Sequence, residues 1–242
     1  MTTVGRQKKH AEPAFVLHSY PFRETSLILD VFSRHHGRLA IVARGARRPK
    51  SSLRGLLLNF QPLLLSWFGK GEVRTLHSAE WQGGQPYLQR TALMCGFYLN
   101  ELLINLLARD DPHERLFDYY RTTLQQLAQQ TDHAATLRCF ERHLLQELGY
   151  ALVLEHEADS DKAVQAELCY RYAVDRGVLP DKGEGSPGIP VLGKTLLDMA
   201  KDEYVDPVTA QQSKHLMRAL LNHHLGGKTL HTRELIKDFQ KL

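Results

Sequence analysis

Between Arg44 and Arg54 the chain places Arg44, Arg47, Arg48, Lys50 and Arg54, with no acidic residue among them. Gly45, Pro49, Ser51 and Ser52 in the same stretch disfavour regular structure, so it reads as an exposed loop. A guanidinium or ammonium group on such a loop can reach a phosphate oxygen, and serine hydroxyls and backbone N–H groups can add contacts. Contacts of that kind hold a sugar–phosphate backbone without reading its sequence. Arg38, Lys70 and Arg74, on neighbouring strands and a turn, extend the candidate phosphate-binding set.

Enzyme chemistry has one formal match. Gly188, Gly193, Lys194 and Thr195 have the spacing of a phosphate-binding P-loop, which would make the chain an ATP-dependent enzyme. A P-loop must follow a buried parallel strand, and DKGEGSPGIP before Val191 holds two prolines and three glycines. No apolar strand ending in Asp follows to hold Mg²⁺. Gly227-Lys228-Thr229 fails because Asn222 stands where the first glycine is needed. The histidine pairs His35-His36 and His223-His224 are adjacent rather than a helical turn apart, and there is no Cys-x-x-Cys, so no metal and no cofactor is expected. No Gly-x-Ser-x-Gly elbow is present, and the chain is read as not an enzyme.

The elements that must position the basic loop follow from charge and periodicity. Residues 1–80 hold thirteen Lys and Arg against five Asp and Glu (net +8), whereas the rest hold eighteen against twenty-two (net −4). A basic first third on a mildly acidic remainder predicts two parts with different partners, the first polyanionic. With 242 residues, 43% of them hydrophobic, the chain can fold as one large or two small domains. No stretch approaches the roughly 18 apolar residues of a membrane span; Asn105 breaks the most apolar one, Leu102 to Ala108. The basic N-terminus lacks a following apolar core, so no signal peptide is expected. Three distant cysteines (Cys95, Cys139, Cys169) fit reduced thiols, and the expected location is cytoplasmic, with no membrane partner.

Five short strands are predicted in the first third: Ala14 to Ser19, Ser26 to Phe32, Arg38 to Ala43, Pro62 to Phe68 and Glu72 to Ala79. Five suit a small closed barrel, of which the OB-fold is the nucleic-acid-binding case. Phe15, Phe32, Phe60, Trp67 and Phe68 fall in or beside them; two or three on one face would stack bases, although most are expected in the core. Adjacent Trp67 and Phe68 must face opposite ways in a strand. After Pro86 the period becomes helical, with a buried helix over Tyr87 to Ala108, stripes through Leu116 to Leu127 and Leu137 to Leu148, and further helices over Thr195 to Ala200, Val208 to Leu225 and Thr232 to Phe239. A hairpin is expected around Cys169 to Leu179. The fold class is therefore α+β, with an OB-fold over 1–82 and a mostly α-helical domain over 83–242 that carries an irregular insertion around 155–193.

AFVLHSYPFRETSLILDVFSRHHGRLAIVARGARRPKSSLRG and FQPLLLSWFGKGEVRTLHSAE resemble the N-terminal domain of the RecO family, the bacterial recombination mediators. The resemblance continues through YLNELLINLL, LRCFERHLLQELGY and LGGKTLHTREL, nearly the whole chain. It implies an OB-fold followed by a helical domain and binding of single- and double-stranded DNA. It also implies annealing of complementary strands and loading of the RecA recombinase on DNA covered by single-strand-binding protein (SSB). The implied partners are RecR and the acidic C-terminal tail of SSB. Many members carry a four-cysteine zinc site after the third long helix. Here Tyr150 to Leu192 offers only Cys169 and His156, too few for a tetrahedral site, so the sequence is similar to the zinc-free branch.

Annealing needs no nucleophile or general base; it needs two polyanions brought together with their bases free. Arg38, Arg44, Arg47, Arg48, Lys50, Arg54, Lys70 and Arg74 are the residues expected to neutralise phosphates. An acidic tail ending in an apolar residue needs an apolar pocket with a cationic rim, and Leu137 and Leu144 beside Arg138 and Arg142 offer both types. The rivals to this reading are an ATP-dependent DNA-remodelling enzyme using the Gly188 to Thr195 segment and a pure protein adaptor whose barrel binds protein.

Overall fold

A computed structural model describes residues 8–130, 132–183 and 185–233. The chain divides into two compact units, one of residues up to 130 together with those from 230 onward, the other of the residues between.

The first unit opens with β1 (Lys8–Phe22), β2 (Ser26–Ser33) and β3 (Gly37–Ala43), followed after the basic segment by β4 (Leu63–Phe68) and β5 (Val73–Trp81). They close into a barrel in the order β1-β2-β3-β5-β4, with β3 and β5 parallel and every other pair antiparallel, which is OB topology. Ala14, Val16, Leu29, Val31, Leu39, Ile41, Leu63, Leu65 and Trp67 alternate inward and fill the interior. β1 is far longer than the expected Ala14 to Ser19: it pairs with β4 through its first half and with β2 through its second, so the same strand closes the barrel and forms the β1–β2 hairpin.

The strands read as solidly apolar because their outer faces are also covered. α1 (Arg90–Leu106) and α2 (Glu114–Gln129) pack on the barrel, and Phe15 and Phe32 meet Phe117 at 5.3 and 5.4 Å between ring centres. Tyr120 donates to Asn100 Oδ1 (2.5 Å), and Asn100 Nδ2 donates to the Leu17 carbonyl (2.7 Å), a buried polar chain from α2 through α1 to β1. Phe15, Phe32, Phe60 and Trp67 are all buried, so the aromatics singled out in the sequence are core and not base-stacking residues. Phe68 is half-buried, on the face opposite Trp67.

After α1, Arg109 bridges Arg38 and the Asp110 N–H donates to the Arg38 carbonyl, laying this segment beside the start of β3. Gly37 permits the approach: a Cβ there would stand 2.0 Å from the Asp111 carbonyl oxygen, and its φ is +65°.

The second unit contains α3 (His133–Glu147), a sheet ordered β7 (Gly177–Pro180), β6 (Cys169–Ala173), β8 (Ile189–Leu192), then α4 (Gly193–Ala200) and α5 (Pro207–His224). Asp132 caps α3 through the Ala134 and Ala135 N–H groups; Asp206 caps α5 through Val208 and Thr209, with Pro207 at the first helical position. α5 packs on α3, α4 and β8. The expected hairpin is present as β6–β7, with β8 added on the free side of β6 as an edge strand, where Pro190 is tolerated. The expected helix over Thr232 to Phe239 lies almost wholly outside the described residues. Among those described, no helix is long and apolar enough to cross a membrane.

Candidate nucleic-acid interface

The basic segment is a structured lid on one end of the barrel. Ala46 and Leu57 are buried in the barrel core and Leu53 and Leu56 pack against it, while a short 3₁₀ turn spans Ser52–Arg54. The apolar side of the lid therefore faces inward, which leaves Arg44, Arg47, Arg48, Lys50 and Arg54 exposed. Arg47 is the anchor: its N–H donates to the Thr25 carbonyl (2.9 Å), and its guanidinium donates to the carbonyls of Arg23 and Glu24. Lid and β1–β2 turn are thus joined, and Arg23 stands beside the predicted cations. No carboxylate pairs with Arg44, Arg48, Lys50 or Arg54 among the described residues. Their charge is held for solvent or a ligand.

The other predicted cations sit differently. Arg38 donates to Asp30 (3.1 Å) and to the Leu107 carbonyl, and only 13% of its side chain is exposed. Arg74 pairs with Asp110 at 2.5 Å. Both are tied into the barrel wall. Lys70 is exposed on the β4–β5 turn.

Sequence reasoning missed three residues here. Tyr20 and His18 lie on the outer face of β1, exposed, with ring centres 4.3 Å apart. Arg109 is exposed beside Arg38. Burial and the charge of Asp30 push the Tyr20 phenol above its usual range, against the opposing charges of Arg38 and Arg109. Tyr20 has only the signal of a turn next to Pro21 in the sequence, and Arg109 is a lone cation after a helix. Only the β-register brings them together.

The P-loop match does not have P-loop geometry. β8 runs antiparallel to β6, and the Gly193 and Lys194 N–H groups donate to the Leu168 and Ala166 carbonyls (2.8 and 2.9 Å), so they are not available to cradle a phosphate. Lys194 Nζ lies 2.5 Å from Asp198, and the buried Thr195 hydroxyl donates to Gln212 (2.8 Å). A Cβ at Gly193 would fall 1.9 Å from the Gln165 carbonyl oxygen, so this glycine serves a close backbone contact.

In the second unit, Arg138 pairs with the buried carboxylate of Glu141 (2.6 Å), and Arg142 makes a two-point contact with Asp202 (2.9 and 2.6 Å). Leu144 is fully buried and Leu137 is half-buried.

A five-stranded OB-type barrel with a cationic lid, followed by a mostly helical second unit, is an architecture that nucleic-acid-binding proteins use. The family comparisons make it specific. Residues 8–84 match the family described as Recombination protein O N terminal, and residues 88–234 match Recombination protein O C terminal. The chain is 57% identical over 240 residues to the DNA repair protein RecO of Nitrosospira multiformis, covering 99% of both chains. It is 53% identical to the RecO of Dechloromonas aromatica (98% of this chain, 99% of the relative) and 52% identical to that of Aromatoleum aromaticum (98% and 99%). The chain belongs to the RecO family, and its role lies in DNA repair and recombination.

Proposed function

We propose that this chain is an ATP-independent mediator that binds single- and double-stranded DNA, anneals complementary strands and helps load the RecA recombinase on SSB-coated DNA. The observation that carries this reading is the lid: Arg44, Arg48, Lys50 and Arg54 are exposed and lack carboxylate partners among the described residues, with Lys70 on a separate exposed turn of the same barrel. Cations arranged so neutralise phosphates, release counterions and leave base edges free, which is what annealing requires. Arg38 and Arg74 contribute to the field at the barrel wall, and Arg47 contributes both charge and lid geometry. The work is done by binding rather than catalysis, in the cytoplasm at the nucleoid.

RecR and the acidic SSB tail are the proposed protein partners. A tail docking on the Arg138–Arg142 stripe would displace Glu141 and Asp202, whose carboxylates occupy the places its own would take. Loss of tail binding in Arg138→Ala with DNA binding intact would support that dock; retained binding would move it elsewhere.

The test of the DNA reading is fluorescence anisotropy of a labelled single strand over a salt series without ATP. With four or five phosphates engaged, log K falls against log salt with a slope of about −3, at roughly −0.7 per contact. Arg44→Glu/Arg48→Glu weakens binding and annealing together. Weak, salt-insensitive binding in both proteins would leave the barrel as a protein adaptor.

A further inference from the structure

We propose that Tyr20, backed by the His18 ring, is a base-stacking platform for single-stranded DNA on the outer face of the barrel; this rests on the DNA-binding reading above. In the β-register, residues directly opposite each other share a face. Tyr20 stands opposite Ile28, Ile28 opposite Val42, and Val42 opposite Thr75; the next row is His18, Asp30, Ala40 and Val73. These two rows run across four strands, from the β1–β2 hairpin to the start of β5. Ile28 is half-buried and Val42 is 8% exposed, an apolar floor, while Tyr20 (44%) and Val73 (48%) stand out from it.

The cations flank these rows on both sides, along the strand direction. Beyond Val42 and Ala43 the chain enters the lid at Arg44, with Arg47 holding the β1–β2 turn and Arg23 beside it. In the opposite direction come Arg38, Arg109 bridged to it, and the Lys70 turn that leads into Val73. The one carboxylate in the rows, Asp30, is neutralised by Arg38. A phosphate backbone held at both ends would pass over the aromatic rows, where a base finds a π-face and an apolar floor. The Tyr20 hydroxyl has no hydrogen-bond partner among the described residues, and its ring contact is with His18. Its exposed area therefore serves no packing within the chain.

Stacking needs an unpaired base, so the platform serves single strands and not the duplex, whereas the lid cations serve both. This difference gives the test. Anisotropy is measured for a labelled thymidine oligonucleotide and for a duplex of equal length, with Tyr20→Ala, Tyr20→Phe and Arg44→Glu/Arg48→Glu beside the wild type, and thermal melting checks that each folds. Tyr20→Ala is expected to lose about 10-fold in single-strand affinity, with an unchanged salt slope and unchanged duplex binding. Tyr20→Phe keeps the ring and is expected to bind the single strand as the wild type does. Wild-type single-strand affinity in Tyr20→Ala, with binding lost in the arginine variant, overturns the platform and leaves the DNA reading standing. Equal losses on single strand and duplex also overturn it, since they mean Tyr20 supports the lid and not a base. Absence of salt-dependent binding in the wild type overturns the DNA reading itself, and the platform with it.

Discussion

Arg47 is tied to the β1–β2 turn twice, by its N–H to the Thr25 carbonyl at 2.9 Å and by its guanidinium to the carbonyls of Arg23 and Glu24 at 3.3 Å each. It is therefore both a cation on the lid and a clamp between two loops. Its neighbour Arg48 is exposed and makes no such side-chain bond among the described residues. Arg47→Glu is expected to lower DNA affinity and also to cost about 1 kcal/mol of stability, the scale of a hydrogen bond from a charged group at an exposed site. Arg48→Glu is expected to lower DNA affinity with melting unchanged. Thermal melting beside anisotropy separates the two; equal melting losses would remove the clamp.

Much of the barrel was readable because its strands are short, Val-, Ile- and Leu-rich, and punctuated by Gly and Pro; β2, β3, β4 and β5 fall within about two residues of the expected segments. β1 is the exception: the expected segment begins at Ala14, whereas the strand begins at Lys8 and its first residues, Glu12 and Pro13 included, pair with β4. The lid residues were found because five cations crowd one window, a local signal. Local sequence carried no sign that Ala46 and Leu57 would anchor that window to the core, or that Asp30 and Asp110 would claim Arg38 and Arg74. Phe15 and Phe32 illustrate the same limit: an outer-face aromatic looks free until α2, far along the chain, covers it through Phe117. Ion pairing and coverage are tertiary facts, decided by residues far along the chain.

The attachment of α1 and α2 to the barrel has a polar core. Tyr120 is completely buried, and burial pushes its phenol well above the usual tyrosine range, so it remains a hydrogen-bond donor to Asn100 at every pH of interest. Tyr120→Phe removes the donor to Asn100 Oδ1 inside an apolar contact. The expected cost is about 2 kcal/mol, the penalty for a buried acceptor that loses its partner. Denaturant unfolding measures it; a change below about 0.5 kcal/mol, the range of neutral surface substitutions, would mean Asn100 finds another donor.

Glu12 is a buried carboxylate on β1 that accepts from the Ser33 hydroxyl and the His35 N–H, both at 2.9 Å, with His35 Nδ1 also at 2.9 Å. Burial pushes its carboxyl up, but the His35 N–H, the Ser33 hydroxyl and the charges of His35 and His36 outweigh that and hold it below the ordinary 4.5. A carboxyl depressed in the folded state stabilises fully above its unfolded value and loses that contribution as pH falls through the folded one. Glu12→Gln is therefore expected to destabilise the barrel by about 2 kcal/mol at neutral pH. The gap between the two proteins should narrow progressively below 4.5. Melting curves from pH 7 to pH 3 test the sign. A gap that widens in acid would contradict it.

Gly193 and Lys194 separate the two readings of the P-loop match. In a nucleotide site, Lys194→Ala would abolish phosphate binding and leave folding alone. Here the lysine is half-exposed, with Asp198 2.5 Å and Asp206 3.6 Å away, and the loop N–H groups are spent on Leu168 and Ala166. Lys194→Ala is expected to leave DNA affinity and annealing unchanged, with ATP making no difference to either protein. Gly193→Ala is the sensitive position, since its Cβ would meet the Gln165 carbonyl oxygen at 1.9 Å and the Tyr170 ring at 3.0 Å. Backbone cannot yield as a side-chain tip does, so the cost should reach the upper end of overpacking, about 3 kcal/mol. Calorimetric melting of both variants, with and without ATP, checks this: ATP-dependent stabilisation of the wild type that vanishes in Lys194→Ala would restore the enzyme reading.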